Sequence, residues 1–353
     1  MDGRHLRASA RRGVSRYSRL LLDELARAYP HDEWVAVAPG VSELPPGVEL
    51  RTGRLPRRPL FAAAAVSSRP RLDRVAGGCD VAWVPAPAPV AVSPGLPLVV
   101  TVHDLSFEHR PDDYSRYERA WHRLARPREL ARRATRVIAV SDVVRDELIA
   151  EWSLPPERVV TVRSGPGSPV ADSPERPAPT RPFFLAAGAL EPRKLPLVLA
   201  EAHRIAREEG LEAELVFAGE GPLAGELERG GARVLGRVSD AALDGLYRDA
   251  LALACVSREE GFGLTPLEAA ARGTPSVVTD LPVFEETLGS GALRVPPGDP
   301  RALADALLRL EREPELRARL AEAAAAAASA LSWERAGRET HAVLAAAAAE
   351  GDT

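Results

Sequence analysis

The sequence predicts an α/β protein built from two doubly wound domains facing one cleft. Three observations carry that prediction. Short β-branched apolar runs alternate with helical-period segments almost from end to end, a proline-rich stretch interrupts the alternation midway, and the alternation then restarts. A length of 353 residues suits two cores of ordinary size better than one.

In the first half, strands are expected at Trp34–Ala38, Val81–Val84, Leu98–Val102, Val137–Val140 and Val159–Val162. Several lack polar alternation, as strands of a parallel sheet covered on both faces do. Helices are expected at Ser15–Ala28, Tyr114–Arg133 and Asp142–Glu151, the last capped by Ser141. The composition then breaks at "GPGSPVADSPERPAPTRP", where repeated proline disfavours regular structure, and residues 166–182 read as a linker.

Beyond the linker, strands are expected at Phe183–Ala187, Glu214–Ala218, Arg233–Leu235, Leu251–Val256 and Ser276–Thr279. Helices fall between and after them at Leu195–Glu209, Asp240–Asp249, Pro266–Arg272 and Arg301–Arg312. Pro314–Glu350 reads as alanine-rich helix with Trp333 as an anchor. The expected domains are therefore 1–165 and 183–330, with a terminal helical segment at 331–353. One end departs from the pattern. The chain opens "MDGRHLRASARRGVSRYSRLLL", and Met1 and Asp2 are too short to form the strand that should precede the Gly13 turn, so the first domain is expected to lack its first strand.

Bulk composition narrows the function classes. The chain is 45% hydrophobic and 27% charged with a net charge of −4, which gives no strong field toward nucleic acid or an anionic membrane. Cys79 and Cys255 lack metal-ligand spacing and fit a reducing compartment. There is no apolar run of about 18 residues and no signal-type apolar region, so a cytoplasmic chain without a membrane span is expected.

Four stretches carry candidate chemistry. "EEGFGLTPLEAA" places Gly261, Phe262, Gly263 and Leu264 ahead of a helix, where backbone N–H groups and the helix dipole favour an anion. Thr265 as N-cap, Pro266 at the first helical position and Glu268 two residues on also form a capping box, so Glu268 has a purely structural reading. "GALEPRKLPLVL" sets Arg193 and Lys194 at a helix start, where cations oppose the dipole; an anion between them explains the pair, as does plain solvation. "TVHDLSF" puts His103 and Asp104 at a strand's carboxyl end, where open α/β sheets bind ligands, although a structural histidine is equally at home there. "ARRGVSRY" places Gly13 before a helix, as in a close-approach turn. "FAGEGPL" imitates a dinucleotide glycine loop, but Pro222 and the absent third glycine spoil the fingerprint. No HExxH, GxSxG or Walker loop occurs.

Taken together, these stretches resemble the retaining, nucleotide-sugar-dependent glycosyltransferases of family 4, which have the GT-B fold of two Rossmann-like domains. The resemblance runs through "RRGVSRYSRLLLDEL", "TVHDLSFEHRP", "RVIAVSDVVRDELI", "PPERVVTV", "LEPRK", "GRVSDAALDGLYRDALA" and "EEGFGLTPLEAAARGTPSVVTD". Glu260 and Glu268, seven residues between them, match the family's E-x7-E element. By that resemblance, Arg193 and Lys194 hold the donor diphosphate and Gly13 approaches the same phosphates. Glu268 takes the ribose hydroxyls, Glu260 the donor sugar, and the backbone of Phe262–Leu264 orients sugar and phosphate. Val238 lies near the base, His103 borders the donor sugar and Asp104 supports its loop.

The resemblance implies a hexosyl transfer with retention, needing neither metal nor other cofactor, to a glycan, lipid-linked or small-molecule acceptor. The "HDLSF" form is similar to mannosyltransferases, which points to GDP-mannose. A non-catalytic nucleotide-sugar-binding protein and another GT-B enzyme, such as a nucleotide-sugar epimerase, are the competing readings. Peripheral association with the inner face of a membrane fits relatives that serve lipid-linked acceptors, but no helix in the pattern is basic and amphipathic enough to mark such a surface. Two local departures from the family pattern stand out: "EPRKLP" is one residue short, and Ser164 replaces an asparagine before glycine.

Overall fold

The computed structural model describes residues 1–6, 13–41, 44–52, 67–167 and 181–351. The residues just before Gly13 and most of the proline-rich linker lie outside this set. The chain divides into two units, Met1–Gly165 with Ser332–Thr353, and Pro166–Leu331.

The first unit runs α1 (Gly13–Ala28), β1 (Trp34–Val37), β2 (Val48–Arg51), α2 (Leu72–Ala76), β3 (Ala82–Val84), β4 (Leu98–Val102), α3 (Ser106–His109), α4 (Arg116–Ala125), α5 (Pro127–Arg133), β5 (Arg136–Ala139), α6 (Asp142–Trp152) and β6 (Val159–Thr161). Strands β3-β4-β5-β6 form one parallel sheet and β1-β2 another. β2 escapes the sequence pattern because its side chains alternate between half-buried and exposed, leaving no apolar run. Helices α4 and α5 replace the single helix expected over Tyr114–Arg133. Arg126 adopts φ 45° ahead of Pro127, whose ring disfavours helical geometry in the preceding residue and lacks the N–H a continuous helix needs.

No strand precedes α1 among the described residues, yet its slot is filled. Asp2 pairs in parallel with Val37, the Val37 N–H donates to the Met1 carbonyl at 3.0 Å, and the Asp2 N–H donates to the Trp83 carbonyl at 2.9 Å. Residues 1–3 thus stitch β1 to β3, giving the order β2-β1-(1–3)-β3-β4-β5-β6. Gly3 suits this position because a Cβ there would lie 2.7 Å from the Ala38 Cβ.

The second unit runs β7 (Phe183–Ala187), α7 (Pro196–Glu208), β8 (Glu214–Ala218), α8 (Ala224–Arg229), β9 (Arg233–Val234), α9 (Asp240–Asp249), β10 (Ala252–Cys255), α10 (Leu264–Ala270), β11 (Ser276–Thr279), α11 (Pro282–Leu288), β12 (Ala292–Val295), α12 (Pro300–Arg312) and α13 (Pro314–Ser329). Its six strands are all parallel, in the order β12-β11-β10-β7-β8-β9. Both faces are covered. Phe184, Leu215 and Phe217 enter one core, while Phe183, Leu185, Val216 and Leu253 enter the other. That two-sided burial is why these strands read as unbroken apolar runs.

The final helix, α14 (Trp333–Gly351), belongs to the first unit rather than forming a segment of its own. Trp333 is its anchor. It sits 6.1 Å from the Tyr17 ring, and a Cβ on Gly165 would come within 2.6 Å of its backbone nitrogen.

Candidate functional site

Chain order reverses in the second unit between β7 and β10. From β7 the chain moves outward to β8 and β9, then returns to lay β10 on β7's other side. The loops leaving the carboxyl ends of β7 and β10 consequently diverge around a crevice, the place where open parallel sheets bind ligands. Those two loops carry Arg193 and Lys194 on one side and Glu260 to Gly263 on the other.

The β7 loop is held by backbone contacts to its neighbour. Gly188 N–H donates to the Ala218 carbonyl and Leu190 N–H to the Glu220 carbonyl, each at 3.0 Å. A Cβ on Gly219 would fall 1.7 Å from the Gly188 oxygen, and one on Gly221 would fall 2.4 Å from the Leu190 oxygen. The glycines of "FAGEGPL" therefore let two loops pack together, which explains their imperfect likeness to a dinucleotide loop. Pro192–Lys194 then forms one 3-10 turn, and Leu195 takes φ 49° before α7 begins at Pro196. Arg193 and Lys194 stand ahead of α7 rather than within it.

Lys194 Nζ donates to Glu260 Oε2, closing an ion pair across the crevice. Arg193 Nε donates to Glu191 Oε2 at 3.1 Å, and the Arg258 N–H ties the two loops by donating to the Arg193 carbonyl at 2.9 Å. Both cations are half-buried. Beneath the pair, burial, then the nearby Glu260 charge, push the Cys255 thiol up to about 12, so it stays protonated and is no nucleophile at neutral pH.

The capping box at Thr265 does not form. Gly263, with φ 81°, is the N-cap and α10 starts at Leu264, so Thr265 is already inside the helix and no side chain caps it. A Cβ on Gly263 would also meet the Phe284 ring at 2.7 Å, which favours glycine twice over. Glu268 lands deeper in the helix than an N3 position and turns inward at 5% exposure. Its Oε2 accepts from the buried Tyr247 hydroxyl at 2.9 Å, and a Cβ on Gly167 would lie 2.0 Å from its Oε1. Arg272 braces the same helix turn, donating to the Glu268 carbonyl at 3.2 Å and to buried Asp244 at 2.7 Å. Phe262 is buried beside this loop, and Val238 packs half-buried against the core that includes Tyr247.

Thus Arg193, Lys194, Glu260, Glu268 and the Gly261–Leu264 backbone all belong to the second unit, and the Lys194–Glu260 pair joins its β7 and β10 loops. Gly13 and His103 belong to the other. Gly13 is exposed at the first position of α1, with open space where a Cβ would go. His103 follows β4, and its Nε2–H donates to the Pro85 carbonyl at 2.8 Å while its ring packs edge-on against Tyr17 at 4.7 Å. Burial holds its pKa below the usual histidine range, so the ring is neutral with Nδ1 as the acceptor nitrogen, chemistry suited to a hydroxyl rather than an anion. Asp104 supports the loop, accepting the Ser106 N–H at 3.0 Å.

Tyr247, Gly167 and the Asp244–Arg272 pair were not singled out from sequence. Tyr247 lies 21 residues before Glu268 on a different helix, and Gly167 sits inside the proline-rich break. Nothing in local spacing connects either to Glu268.

The geometry defines a class: two parallel-sheet α/β domains of the GT-B type, with a charged crevice at one switch point. Comparison with known proteins agrees. Residues 171–327 match the family described as Glycosyl transferases group 1, and residues 11–165 match Glycosyltransferase Family 4. The chain is similar to a D-inositol 3-phosphate glycosyltransferase of Saccharomonospora viridis, with 33% identity over 270 residues, 68% of this chain and 62% of that protein. It is also similar to an O-antigen chain mannosyltransferase of Salmonella typhimurium, with 28% identity over 229 residues, 61% of each. Among solved structures, Anabaena HepE in complex with UDP-glucose superposes with a TM-score of 0.69 at 18% identity, covering 96% of this chain and 98% of that one. The chain belongs to the family 4 glycosyltransferases. It spans about three fifths of the length of the two curated relatives just described.

Proposed function

We propose that this chain is a retaining glycosyltransferase that moves a hexose, mannose for preference, from a nucleotide-sugar donor to a hydroxyl-bearing acceptor. The observation that carries the reading is the Lys194–Glu260 pair between the loops that leave β7 and β10 at the switch point, with Arg193 on the first loop and buried Glu268 on the helix that follows the second. Such a set matches one extended ligand read by polarity. The cations take the diphosphate, and a fixed, buried Glu268 carboxylate accepts hydrogen bonds from ribose hydroxyls. Glu260 sits where it can anchor the sugar once Lys194 turns to phosphate.

The chemistry follows from where charge develops. As the glycosyl–phosphate bond breaks, its electron pair passes to the phosphate oxygen, where Arg193, Lys194 and the Gly261–Leu264 N–H groups stabilise it. The acceptor hydroxyl attacks the anomeric carbon on the face the phosphate leaves, and its proton passes to that same oxygen. No covalent enzyme intermediate is required, and these cations supply the compensating charge without a metal. HepE, of the same fold, was solved with UDP-glucose, and the Salmonella relative is named a mannosyltransferase. These support a nucleotide-sugar donor and the mannosyl preference.

The test is turnover. The protein is incubated with GDP-mannose, UDP-glucose and UDP-N-acetylglucosamine, with inositol phosphate, mannosides or lipid-linked sugars as acceptors, and free nucleoside diphosphate is followed. Acceptor-dependent release from GDP-mannose is expected. Tight binding of every donor with no release under any acceptor would leave a non-catalytic binding protein instead.

A further inference from the structure

We propose that Tyr247 is the positioning residue that makes this site select ribose-bearing nucleotides. The inference rests on the reading of Glu268 as an acceptor for ribose hydroxyls, and it assigns the selectivity of that carboxylate to a second side chain behind it.

Helices α9 and α10 are cross-braced. Asp244 and Tyr247 lie three residues apart on α9 and so share a face. Glu268 and Arg272 lie four apart, the first on α10 and the second just past its end. The Tyr247 hydroxyl donates to Glu268 Oε2 at 2.9 Å, and Arg272 Nε donates to Asp244 Oδ1 at 2.7 Å. The Arg272 guanidinium also stands 6.0 Å from the centre of the Tyr247 ring, within cation–π range. Arg248 shares Asp244 at 2.8 Å, and the Thr274 hydroxyl donates to the Tyr247 carbonyl. Tyr247 is thus held at its ring, its backbone and its hydroxyl, deep in the second unit.

The consequence falls on Glu268. A glutamate side chain is long, and the torsion that turns its carboxylate is broad unless an oxygen is pinned. Tyr247 pins Oε2, and the Gly167 backbone bounds the Oε1 side, where an added Cβ would lie 2.0 Å away. One donor occupies one of a carboxylate's roughly four lone-pair sites, so the tyrosine orients Glu268 without exhausting it. A vicinal diol is the donor pair that matches such a fixed acceptor. A site built around hydroxyl donors rejects an analogue that lacks them, because its buried acceptor is then left unsatisfied.

Packing does not account for the pair. The Tyr247 ring lies in an apolar core with Phe183, Leu185, Leu246, Leu253 and Ala269. Phenylalanine facing an apolar side chain would fill the same space, and replacing both partners of a buried hydrogen bond by apolar groups is close to neutral or stabilising. A hydroxyl and a carboxylate kept together in that core have a task besides stability.

The test titrates GDP, UDP and their 2′,3′-dideoxy analogues against the native protein, Tyr247→Phe, Glu268→Ala and Asp299→Ala. Tyr247→Phe keeps the ring beside Arg272 and removes only the hydroxyl. Asp299→Ala removes the N-cap of α12 in the same unit and supplies a matched loss of stability. The native protein is expected to prefer the ribose form of whichever nucleotide binds more tightly by about tenfold or more. Tyr247→Phe should shrink that preference by about three- to tenfold, the worth of one hydrogen bond. Asp299→Ala should lower the melting temperature and leave the preference intact. A native preference that Glu268→Ala abolishes and Tyr247→Phe keeps overturns the proposal while leaving the ribose reading of Glu268 standing. No preference in the native protein overturns both. Equal losses in Tyr247→Phe and Asp299→Ala also overturn the proposal, since general destabilisation would then explain the effect.

Discussion

Glu260 and Glu268 sit eight positions apart, yet their surroundings differ in kind. Glu268 is buried on a helix, with Tyr247 donating to one oxygen and Gly167 backbone pressed against the other. Glu260 lies half-buried in a loop and is held by a flexible lysine from the facing loop. On the proposed reading the first is a preorganised acceptor, set in place by these contacts. On the same reading the second is an exchangeable counter-charge that holds Lys194 until the donor diphosphate competes. The proposal thus asks rigidity of one glutamate and release of the other.

The comparison can be broken hardest at the cations. Lys194→Ala should lower kcat/KM for the donor by about 100-fold or more, as loss of a preorganised charge-stabilising donor does, while the melting temperature moves little. An unchanged kcat/KM would remove the diphosphate from this crevice. On the rigid side, Gly167→Ala should destabilise the fold by about 1–3 kcal/mol, because its methyl group meets the Glu268 carboxylate and must push it aside. Chemical denaturation measures that loss, and a neutral result would show that Glu268 is not held as described.

A smaller effect concerns pH. Burial holds His103, His122 and His203 below the ordinary histidine pKa. The unfolded chain therefore takes up protons that the folded chain does not as pH falls through about 6.5. Stability from these groups is full above that pH and is lost below it, so the melting temperature should drop between pH 7.5 and 5. Smallest of all is Thr265→Ala, expected to change stability by less than about 0.5 kcal/mol, since its hydroxyl caps nothing. A loss near 1 kcal/mol would restore the capping box.

Much of the fold was legible because parallel strands covered on both faces leave unbroken apolar runs. β7, β8 and β11 fall at the expected residues for that reason. Edge strands β2 and β12 have weaker patterns and were not expected, and helices α8 and α11 are too short to show a clear period. The contribution of residues 1–3 to the sheet was illegible, since a single bridge between two strands leaves no periodic trace. In the candidate site, Arg193, Lys194 and Glu268 were picked out from local motifs and Glu260 from the family resemblance. Their union follows from strand order, which no local motif contains. Tyr247 was missed because its role depends on one hydroxyl reaching a different helix. The expected Thr265 cap failed because Gly263, free to take a positive φ, starts the helix two residues earlier than threonine would.

The central claim is that Glu268 is a fixed acceptor for ribose hydroxyls. It is tested most directly by titrating GDP and its 2′,3′-dideoxy analogue against the native protein and Glu268→Ala. The account predicts that losing the hydroxyls costs the native protein about tenfold or more in affinity, as hydrogen bonds to a charged group warrant, and costs the variant almost nothing. Equal losses in both proteins would contradict it.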